Sequence, residues 1–332
     1  MKILIVNTSY SFFLYLLLKK EWKDTYFLFG KMFPRAIFLN LEKKSRCRYS
    51  GYGVLKSLTR DGKGKIYQFI SYYYEIFYWH IYALWLKLTV KDLEIYGNDS
   101  MDIALPFRDK FRYLIEDGTI NYIDYQAPQR TLKEKLKLFF RGMYSTYIPF
   151  GKSKNIEKIY LTGIAEIPKS IEEKVEIIDL QKLWDSKRED EKLEILEIFG
   201  FEKDILNEIK GRDEILLTQP LSEDEIMSED EKLEIYKEIM KNYNSENMII
   251  KTHPREKTDY RNCFPKALIL DNVFPFEILL LMGIEFKRAV TIFSTAALGI
   301  GKDCKVDFYG TKINRKLLDK FGDISLESLN SK

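Results

Sequence analysis

The sequence Met248-Ile249-Ile250-Lys251-Thr252-His253-Pro254-Arg255 joins a short apolar run to a histidine and a proline. The apolar, β-branched start is typical of a buried strand, and the proline ends that strand. His253 is therefore expected just past the C-terminal end of a strand, where open α/β sheets bind ligands. The chain has one other histidine, His80, which lies in a predicted aromatic helix.

Strand–loop–helix units precede and follow this segment. The first of them opens the chain, with a strand at 3–6, a turn at 7–9 and an apolar helix at 10–20. Alternation of strands and helices predicts parallel sheets covered by helices on both faces. We expect further strands at 26–29, 36–39, 93–96, 111–115, 158–162, 175–178, 214–217, 267–270, 289–293 and 305–308, with the strand at 158–162 as the last of the first lobe. Helices are expected at 66–88, 228–243, 274–283 and 294–300. This α/β pattern divides into two domains, residues 1–165 and 166–332.

Composition narrows the class of protein. Among 332 residues, 31% are charged, 45% are hydrophobic and the formal net charge is +3, which is typical of a globular protein and does not suggest a nucleic-acid partner. The three cysteines are widely spaced and lack metal-ligand spacing, which favours a reducing cytoplasmic compartment without disulfides or zinc. No apolar run is long enough to span a membrane and no signal cleavage site is evident.

Two segments could contact a partner. The predicted helix 66–88 carries aromatic residues on more than one face, so it is expected to be buried or to pack against a second copy in a homodimer. Residues 130–154 carry seven cations and one acid with apolar residues between them. That composition suits an anionic membrane surface, and a solvated helix face explains it equally well.

Acidic and hydroxyl side chains follow two of the predicted strands. In Glu116-Asp117-Gly118, two neighbouring carboxylates could raise the pKa of one of them, and that carboxylate could then abstract a proton from a hydroxyl. The alternative is an ordinary turn, because Asp-Gly is a favoured turn pair. The loop 218–224 supplies amides, hydroxyls and two carboxylates. It could equally serve only to lead into a helix capped by Ser228 and Glu231.

Phosphate-binding side chains follow two further strands. His253, with Lys251 and Arg255 beside it, could donate to a departing oxyanion, or it could be a structural histidine that the backbone satisfies. In the segment 293–298, Phe-Ser-Thr-Ala-Ala-Leu, two hydroxyl residues follow a predicted strand and precede a predicted helix. The hydroxyls and the first turn of that helix would hold a phosphate, or they could form an ordinary N-cap. Between them, Glu277 near the start of a proline-initiated helix suits a ribose diol.

Taken together and in this order, Glu116-Asp117-Gly118, His253-Pro254-Arg255 and the segment 293–298 resemble the bacterial sialyltransferases of glycosyltransferase family 52. The resemblance implies a GT-B fold, in which two Rossmann-like lobes face a central cleft. Residues 1–165 would form the acceptor-side lobe and residues 166–332 the nucleotide-donor lobe. It further implies CMP-sialic acid as donor, inversion at the anomeric carbon, and no metal or other cofactor.

The same resemblance implies roles for single residues. His253 would protonate or hydrogen-bond the leaving phosphate, Ser294 and Thr295 would hold it, and Glu277 would bind the ribose. Other donor-side candidates are Thr218, Gln219, Lys251 and Arg255, and acceptor-side candidates are Asn7, Thr8, Glu116 and Gly118.

The catalytic base has two candidates. Members of the family carry an acid in the loop after the first strand of the second lobe, which corresponds to Asp224, whereas related sialyltransferases use the Asp of the acid-Asp-Gly motif, which corresponds to Asp117. The absence of any Asp-x-Asp in the sequence fits a metal-free site, because enzymes that hold a nucleotide diphosphate through a divalent ion commonly need that pair.

The sequence therefore predicts an inverting sialyltransferase that acts on a galactose-ended bacterial surface saccharide. The acceptor could be lipid-linked at the inner membrane leaflet. One alternative is a GT-B glycosyltransferase with another donor such as a UDP-hexose. Another is a non-catalytic saccharide-binding or scaffold protein of capsule assembly.

Overall fold

The computed structural model describes residues 1–49, 65–124, 131–132, 148–301 and 303–327, with the backbone alone at 65–73, 119 and 295. The chain forms two compact units. Unit 1 consists of Met1–Gly163 and Ile167–Lys187, and unit 2 consists of Ile164–Glu166 and Arg188–Lys332. Unit 1 thus continues to Lys187, past the division expected at residue 165.

Unit 1 is built on a parallel sheet. In the described part of the chain it has seven strands in the order β3-β2-β1-β4-β5-β6-β7. They are β1 Lys2–Val6, β2 Thr25–Phe29, β3 Cys47–Tyr49, β4 Glu94–Gly97, β5 Phe111–Ile115, β6 Lys158–Leu161 and β7 Val175–Ile177. The prediction that the strand at 158–162 is the last of this lobe is wrong, because β7 pairs with β6 in parallel register.

The helices of unit 1 are α1 Ser9–Leu18, α2 Arg35–Glu42, α3 Lys65–Thr89 and α4 Leu180–Asp185 among the described residues. The strand expected at 36–39 is wrong, since these residues lie in α2. Ile37 and Leu41, four positions apart, are its buried side chains. That spacing places both on one face of a helix, a pattern that the short apolar run concealed.

Unit 2 is built on a second parallel sheet. In the described residues it has five strands in the order β10-β9-β8-β11-β12. They are β8 Glu214–Leu217, β9 Met248–Lys251, β10 Leu268–Leu270, β11 Arg288–Thr291 and β12 Lys305–Phe308. Ile215, Leu216, Ile249 and Ile250 have no exposed surface. The apolar runs of β8 and β9 are therefore buried on both faces, as predicted.

The helices described in unit 2 are α5 Glu189–Ile198, α6 Asp204–Ile209, α7 Glu229–Met240, α8 Glu277–Leu281 and α9 Arg315–Phe321. The helices expected at 228–243 and 274–283 are confirmed as α7 and α8. The one expected at 294–300 is a 3-10 helix, Thr295–Gly299. Its five residues form little more than one turn, so it offers fewer aligned amides than an α-helix would.

The long aromatic helix is confirmed as α3. Trp79, Ala83 and Leu86 face the core, whereas other apolar side chains such as Phe77 and Leu88 are 63% and 78% exposed. Within the described residues, no helix combines the length and the apolar character needed to cross a bilayer. Most of the basic segment 130–154 lies outside the described residues, so its contact with a membrane stays a prediction.

Candidate active site

Unit 1 brings Thr8 and Asp117 together at the carboxyl edge of its sheet. Thr8 follows β1 and Asp117 follows β5, and parallel strands end at the same edge. The Thr8 hydroxyl donates to Asp117 Oδ1 at 2.7 Å, and the Ser11 hydroxyl lies 3.1 Å from the same atom. Thr8 is also the N-cap of α1, because its Oγ1 accepts the Ser11 N–H at 3.3 Å. The carboxylate is therefore held beside the positive end of a ten-residue helix.

The Asp117 carboxyl binds a proton more readily than an ordinary aspartate. Burial raises its pKa, and the hydrogen bonds from Thr8 and Ser11 oppose part of that rise. Both donors address Oδ1, and no described side chain donates to Oδ2. Gly118 follows with φ +80°, a left-handed conformation that glycine adopts without strain. The structure thus leaves one oxygen of a proton-accepting carboxyl without a protein donor among the described residues.

Glu116 anchors this edge and has no exposed surface. Its carboxylate accepts from the Tyr122 hydroxyl at 2.9 Å, the Thr162 N–H at 2.5 Å and the Thr162 hydroxyl at 2.8 Å, and it lies 3.3 Å from the Tyr10 hydroxyl. These bonds tie the end of β5 to the residue after β6. Glu116, held by these hydrogen bonds, fixes the backbone next to Asp117. The contact with the saccharide acceptor predicted for Glu116 would require these hydrogen bonds to break.

Unit 2 brings His253 and Ser294 to one edge of its sheet. His253 follows β9 and Ser294 follows β11, with β8 between them, so their strands are about 10 Å apart. Ser294 donates its N–H to the Thr291 hydroxyl at 2.9 Å, and its side chain makes no capping hydrogen bond. Its hydroxyl is thus not used in capping the short helix that follows. The side chain of Thr295, the other predicted phosphate ligand, lies outside the described structure.

The protonation state of His253 follows from its contacts. Its Nδ1 atom accepts the Arg255 N–H at 3.2 Å, and since an amide can only donate, the imidazole proton sits on Nε2. Burial, then the charges of Arg255 and Lys251, lowers the His253 pKa to about 4. At neutral pH this side chain is an uncharged imidazole that donates through Nε2.

That depressed pKa predicts a pH-dependent stability. Between pH 6.5 and about 4 the unfolded chain binds a proton at His253 that the folded protein does not. Stability from this group is present above pH 6.5 and is lost toward pH 4, by on the order of 3 kcal/mol at most. Urea denaturation of His253→Gln should show a smaller loss between pH 7 and pH 5 than the wild type. Equal pH dependence in wild type and His253→Gln would contradict the assignment.

A buried network holds the loop that carries His253. The Glu256 carboxylate accepts the His253 backbone N–H at 2.7 Å and the Tyr260 hydroxyl at 2.7 Å. It also accepts from the hydroxyl of Thr218, which is 3% exposed. Burial raises the pKa of Glu256, and these donors counter that rise. Thr218, predicted to bind the donor, is thereby turned inward to support His253.

Lys232 joins the loops after β8 and β9, and no sequence motif had indicated it. Its side chain is fully buried, and Nζ lies 3.0 Å from Glu223, 3.2 Å from Glu229 and 3.6 Å from Glu256, whose side chain is also fully buried. Glu223 in turn accepts the Lys257 N–H at 2.6 Å. Helical spacing could have indicated that Lys232 is buried, because it lies on the same buried face of α7 as Tyr236 and Ile239.

Lys232→Met is therefore expected to destabilise the protein by about 3–5 kcal/mol, because it leaves the buried Glu256 carboxylate without its cation. Urea denaturation followed by circular dichroism measures this. The matched control is Lys237→Met, in the same helix, where the lysine is 44% exposed and pairs with Glu234. That control should change stability by less than about 1 kcal/mol. If the two variants were equally stable, the network would not be holding the two loops.

Lys251 and Arg255, both predicted to bind the donor, already have protein partners. The buried Lys251 ammonium donates to the carbonyl oxygens of Asn272 at 2.6 Å and Thr252 at 3.1 Å, and burial lowers its pKa to about 8. It thus holds the loop after β10. Arg255 makes a two-point ion pair with Asp224, with one N–O distance of 2.9 Å. Both carboxylate oxygens of Asp224 are therefore committed to a guanidinium.

The remaining candidate residues also follow the C-terminal ends of strands. Glu277 is the first residue of α8, after β10, and is partly exposed. Gln219 follows β8, and its N–H donates to the Tyr236 hydroxyl at 2.7 Å. Asn7 follows β1, and its Oδ1 accepts the Met32 N–H at 3.1 Å.

In the described part of the chain no group of three or more His, Cys, Asp or Glu residues could hold a metal ion. Metal independence itself stays a prediction.

Comparison with known sequences identifies two similarities. Residues 73–317 match the family model described as Glycosyltransferase family 52. A Haemophilus influenzae protein, described as uncharacterized, is 44% identical over 243 residues, which cover 73% of this chain and 76% of that protein.

Solved structures share the fold at low sequence identity. The α/β-galactoside α-2,3-sialyltransferase of Photobacterium phosphoreum is 12% identical, with a TM-score of 0.59 over 92% of this chain and 89% of that chain. The GT-B domain of a Photobacterium damselae sialyltransferase is 12% identical, with a TM-score of 0.52 over 93% and 90%. A Photobacterium 2,6-sialyltransferase, solved with CMP and lactose, is 13% identical, with a TM-score of 0.53 over 92% and 71%. The predicted α/β fold of GT-B type is confirmed.

Proposed function

Because this chain belongs to glycosyltransferase family 52 and is a glycosyltransferase, we propose that it transfers sialic acid from CMP-sialic acid to a saccharide hydroxyl with inversion at the anomeric carbon. The observation that carries the proposal is the neutral His253, which is held to donate through Nε2 at the carboxyl edge of the unit 2 sheet. Such a donor suits a nucleotide monophosphate leaving group. The CMP and lactose bound by the Photobacterium 2,6-sialyltransferase support the same pair of substrates here.

The donor step breaks the bond between C2 of sialic acid and the phosphate oxygen of CMP. The electron pair stays on that oxygen, so negative charge grows on the phosphate as CMP leaves. A neutral imidazole stabilises this charge by donating a hydrogen bond from Nε2, and the Ser294 hydroxyl is the second donor we propose. We favour hydrogen bonding over full proton transfer, because His253 carries a single ring proton at neutral pH.

The acceptor step needs a base, and the geometry favours Asp117. Its pKa is raised and its Oδ2 accepts no hydrogen bond from the described side chains. The acceptor hydroxyl would lose its proton to Oδ2 while its oxygen bonds to C2 from the side opposite CMP. Asp224 is the weaker candidate, because the charge of Arg255 satisfies both of its oxygens.

A thermal-shift panel tests the donor. CMP at about 100 times its Kd should stabilise the protein by about 2.7 kcal/mol, which corresponds to a rise in Tm of several degrees. UDP should give a much smaller shift. Stabilisation by UDP and not CMP would contradict the proposal and support a UDP-hexose enzyme. Purified protein that neither hydrolyses CMP-sialic acid nor transfers from it would support the scaffold alternative.

We propose a galactose-ended acceptor of the bacterial surface, which could be lipid-linked. Work on such an acceptor would place the enzyme at the inner leaflet of the cytoplasmic membrane. The basic segment 130–154 is the contact we propose there, and the exposed side of α3 is the surface we propose for a second copy. Cytoplasmic location, membrane contact and dimer formation all remain predictions.

A further inference from the structure

A cavity of about 150 Å³ opens in unit 1 next to the candidate base. Asn7 and Gly30 line it from the ends of β1 and β2, and His80 and Asp102 line it from α3 and the 3-10 helix Asp102–Phe107. Among its lining residues, only Asn7 was a predicted site residue. A cavity of about this volume holds a six-membered ring.

The cavity is lined by residues that follow β1, β2 and β4, and by residues of α3. Asn7, which lines the cavity, follows β1, and Asp117 follows β5, so both lie at the carboxyl edge of the same sheet. Asn7 is followed directly by Thr8, which hydrogen-bonds Asp117. A saccharide that presents a hydroxyl to Asp117 would therefore have its next ring close to Asn7 and the cavity.

The polar atoms of the cavity form a mixed set of donors and acceptors. Asn7 Oδ1 accepts the Met32 N–H, so the amide hydrogens of Asn7 remain as donors. His80 Nδ1 lies 2.8 Å from the Ile76 carbonyl oxygen, which can only accept, so its Nε2 is an acceptor. The exposed Asp102 carboxylate is a second acceptor. Hydroxyl groups, which both donate and accept, match this set.

Charge and shape point to an uncharged ligand. Lys31 lines the cavity together with the acids Glu75 and Asp102, so its lining carries no surplus of positive charge that would favour a phosphate or carboxylate. Trp79 and Ile76 supply an apolar wall for the C–H face of a sugar ring. Glycine at position 30 keeps the space open, since a Cβ there would lie 2.3 Å from Asn7 Oδ1.

We propose that this cavity is an acceptor subsite that binds the neutral sugar ring next to the one whose hydroxyl is sialylated. The inference rests on the proposed function. It adds that the enzyme selects disaccharide or longer acceptors, and that His80 and Asp102 provide the selection.

The test compares lactose with methyl galactoside as acceptors of CMP-sialic acid. The wild type should prefer lactose by about tenfold or more in kcat/KM, the contribution of one or two hydrogen bonds with apolar contact. His80→Ala should lower that preference about fivefold. Ile81→Ala, the adjacent α3 residue whose side chain is 53% exposed, should keep the wild-type preference. Equal use of both acceptors by the wild type, or an unchanged preference in His80→Ala, would overturn the inference.

Hydrolysis of CMP-sialic acid without acceptor, measured on the same samples, separates the two levels of failure. If the wild type hydrolyses the donor and transfers from it, but His80→Ala keeps the lactose preference, the subsite is wrong and the proposed function stands. If the wild type does neither, the proposed function fails and the subsite fails with it. A larger effect of His80→Ala on CMP affinity than on lactose would assign the cavity to the donor and also overturn the inference.

Discussion

Replacing His253 with alanine is expected to lower kcat for sialyl transfer by about 10²–10³-fold, with a smaller change in the KM for CMP-sialic acid. The substitution removes the Nε2 donor that we propose for the departing phosphate. The negative charge on that phosphate develops mainly in the transition state, so the loss should fall on kcat. The loop should largely keep its shape, because Glu256 accepts the His253 backbone N–H at 2.7 Å in the variant as well. Within the loop, the variant loses only the Nδ1 acceptor of the Arg255 N–H. Steady-state kinetics over a range of donor concentrations measure both parameters.

Two further variants make this result specific. Lys257→Ala, an exposed position in the same loop, should keep wild-type kcat. His253→Gln, whose amide can donate in place of Nε2, should recover part of the loss. Near wild-type turnover in His253→Ala would remove the central role assigned to the imidazole and leave leaving-group stabilisation to other groups.

Asp117→Asn is expected to lower kcat by about 10²–10⁴-fold, whereas Asp224→Asn should lower it by less than about tenfold. The side-chain amide introduced at position 117 can still accept from Thr8 and Ser11 through its oxygen, so the variant loses the base and keeps the local geometry. Asp224→Asn weakens the ion pair with Arg255 on a partly exposed surface, where such pairs contribute little.

A pH profile gives this comparison an independent readout. Because burial raises the Asp117 pKa, the acidic limb of kcat/KM should lie above the range of an ordinary aspartate, and Asp224→Asn should retain that limb. The opposite order of the two variants, with Asp224→Asn the more damaging, would make Asp224 the base. Arg255 would then have to release it during the reaction.

Much of the fold could be predicted from periodicity. The apolar runs that became β1, β8 and β9 are buried, and the long aromatic pattern became α3. The errors fell on short segments. Four apolar residues at 36–39 suit a strand and a helix equally, and only the packing of Ile37 and Leu41 on one face separates the two. β7 was recognised as a strand, but its sheet depends on pairing with β6, which no local pattern encodes.

The sequence positions of the candidate residues located the site, and their contacts in the fold distinguished the residues that are available from those that are already paired. Polar residues directly after buried strands could be found from the linear order, because parallel strands deliver their C-terminal ends to one edge. Whether a charged side chain is available to a substrate depends on which residues, distant in sequence, lie next to it in the fold. Arg255 and Asp224 are 31 positions apart, and Thr8 and Asp117 are 109 apart. The sequence therefore carried the motifs and their order. Folding decided that one oxygen of Asp117 has no donor among the described side chains, that Asp224 is paired with Arg255 and that Lys232 is buried. Burial and ion pairing depend on which distant residues pack together, and that information is absent from any short stretch of the chain.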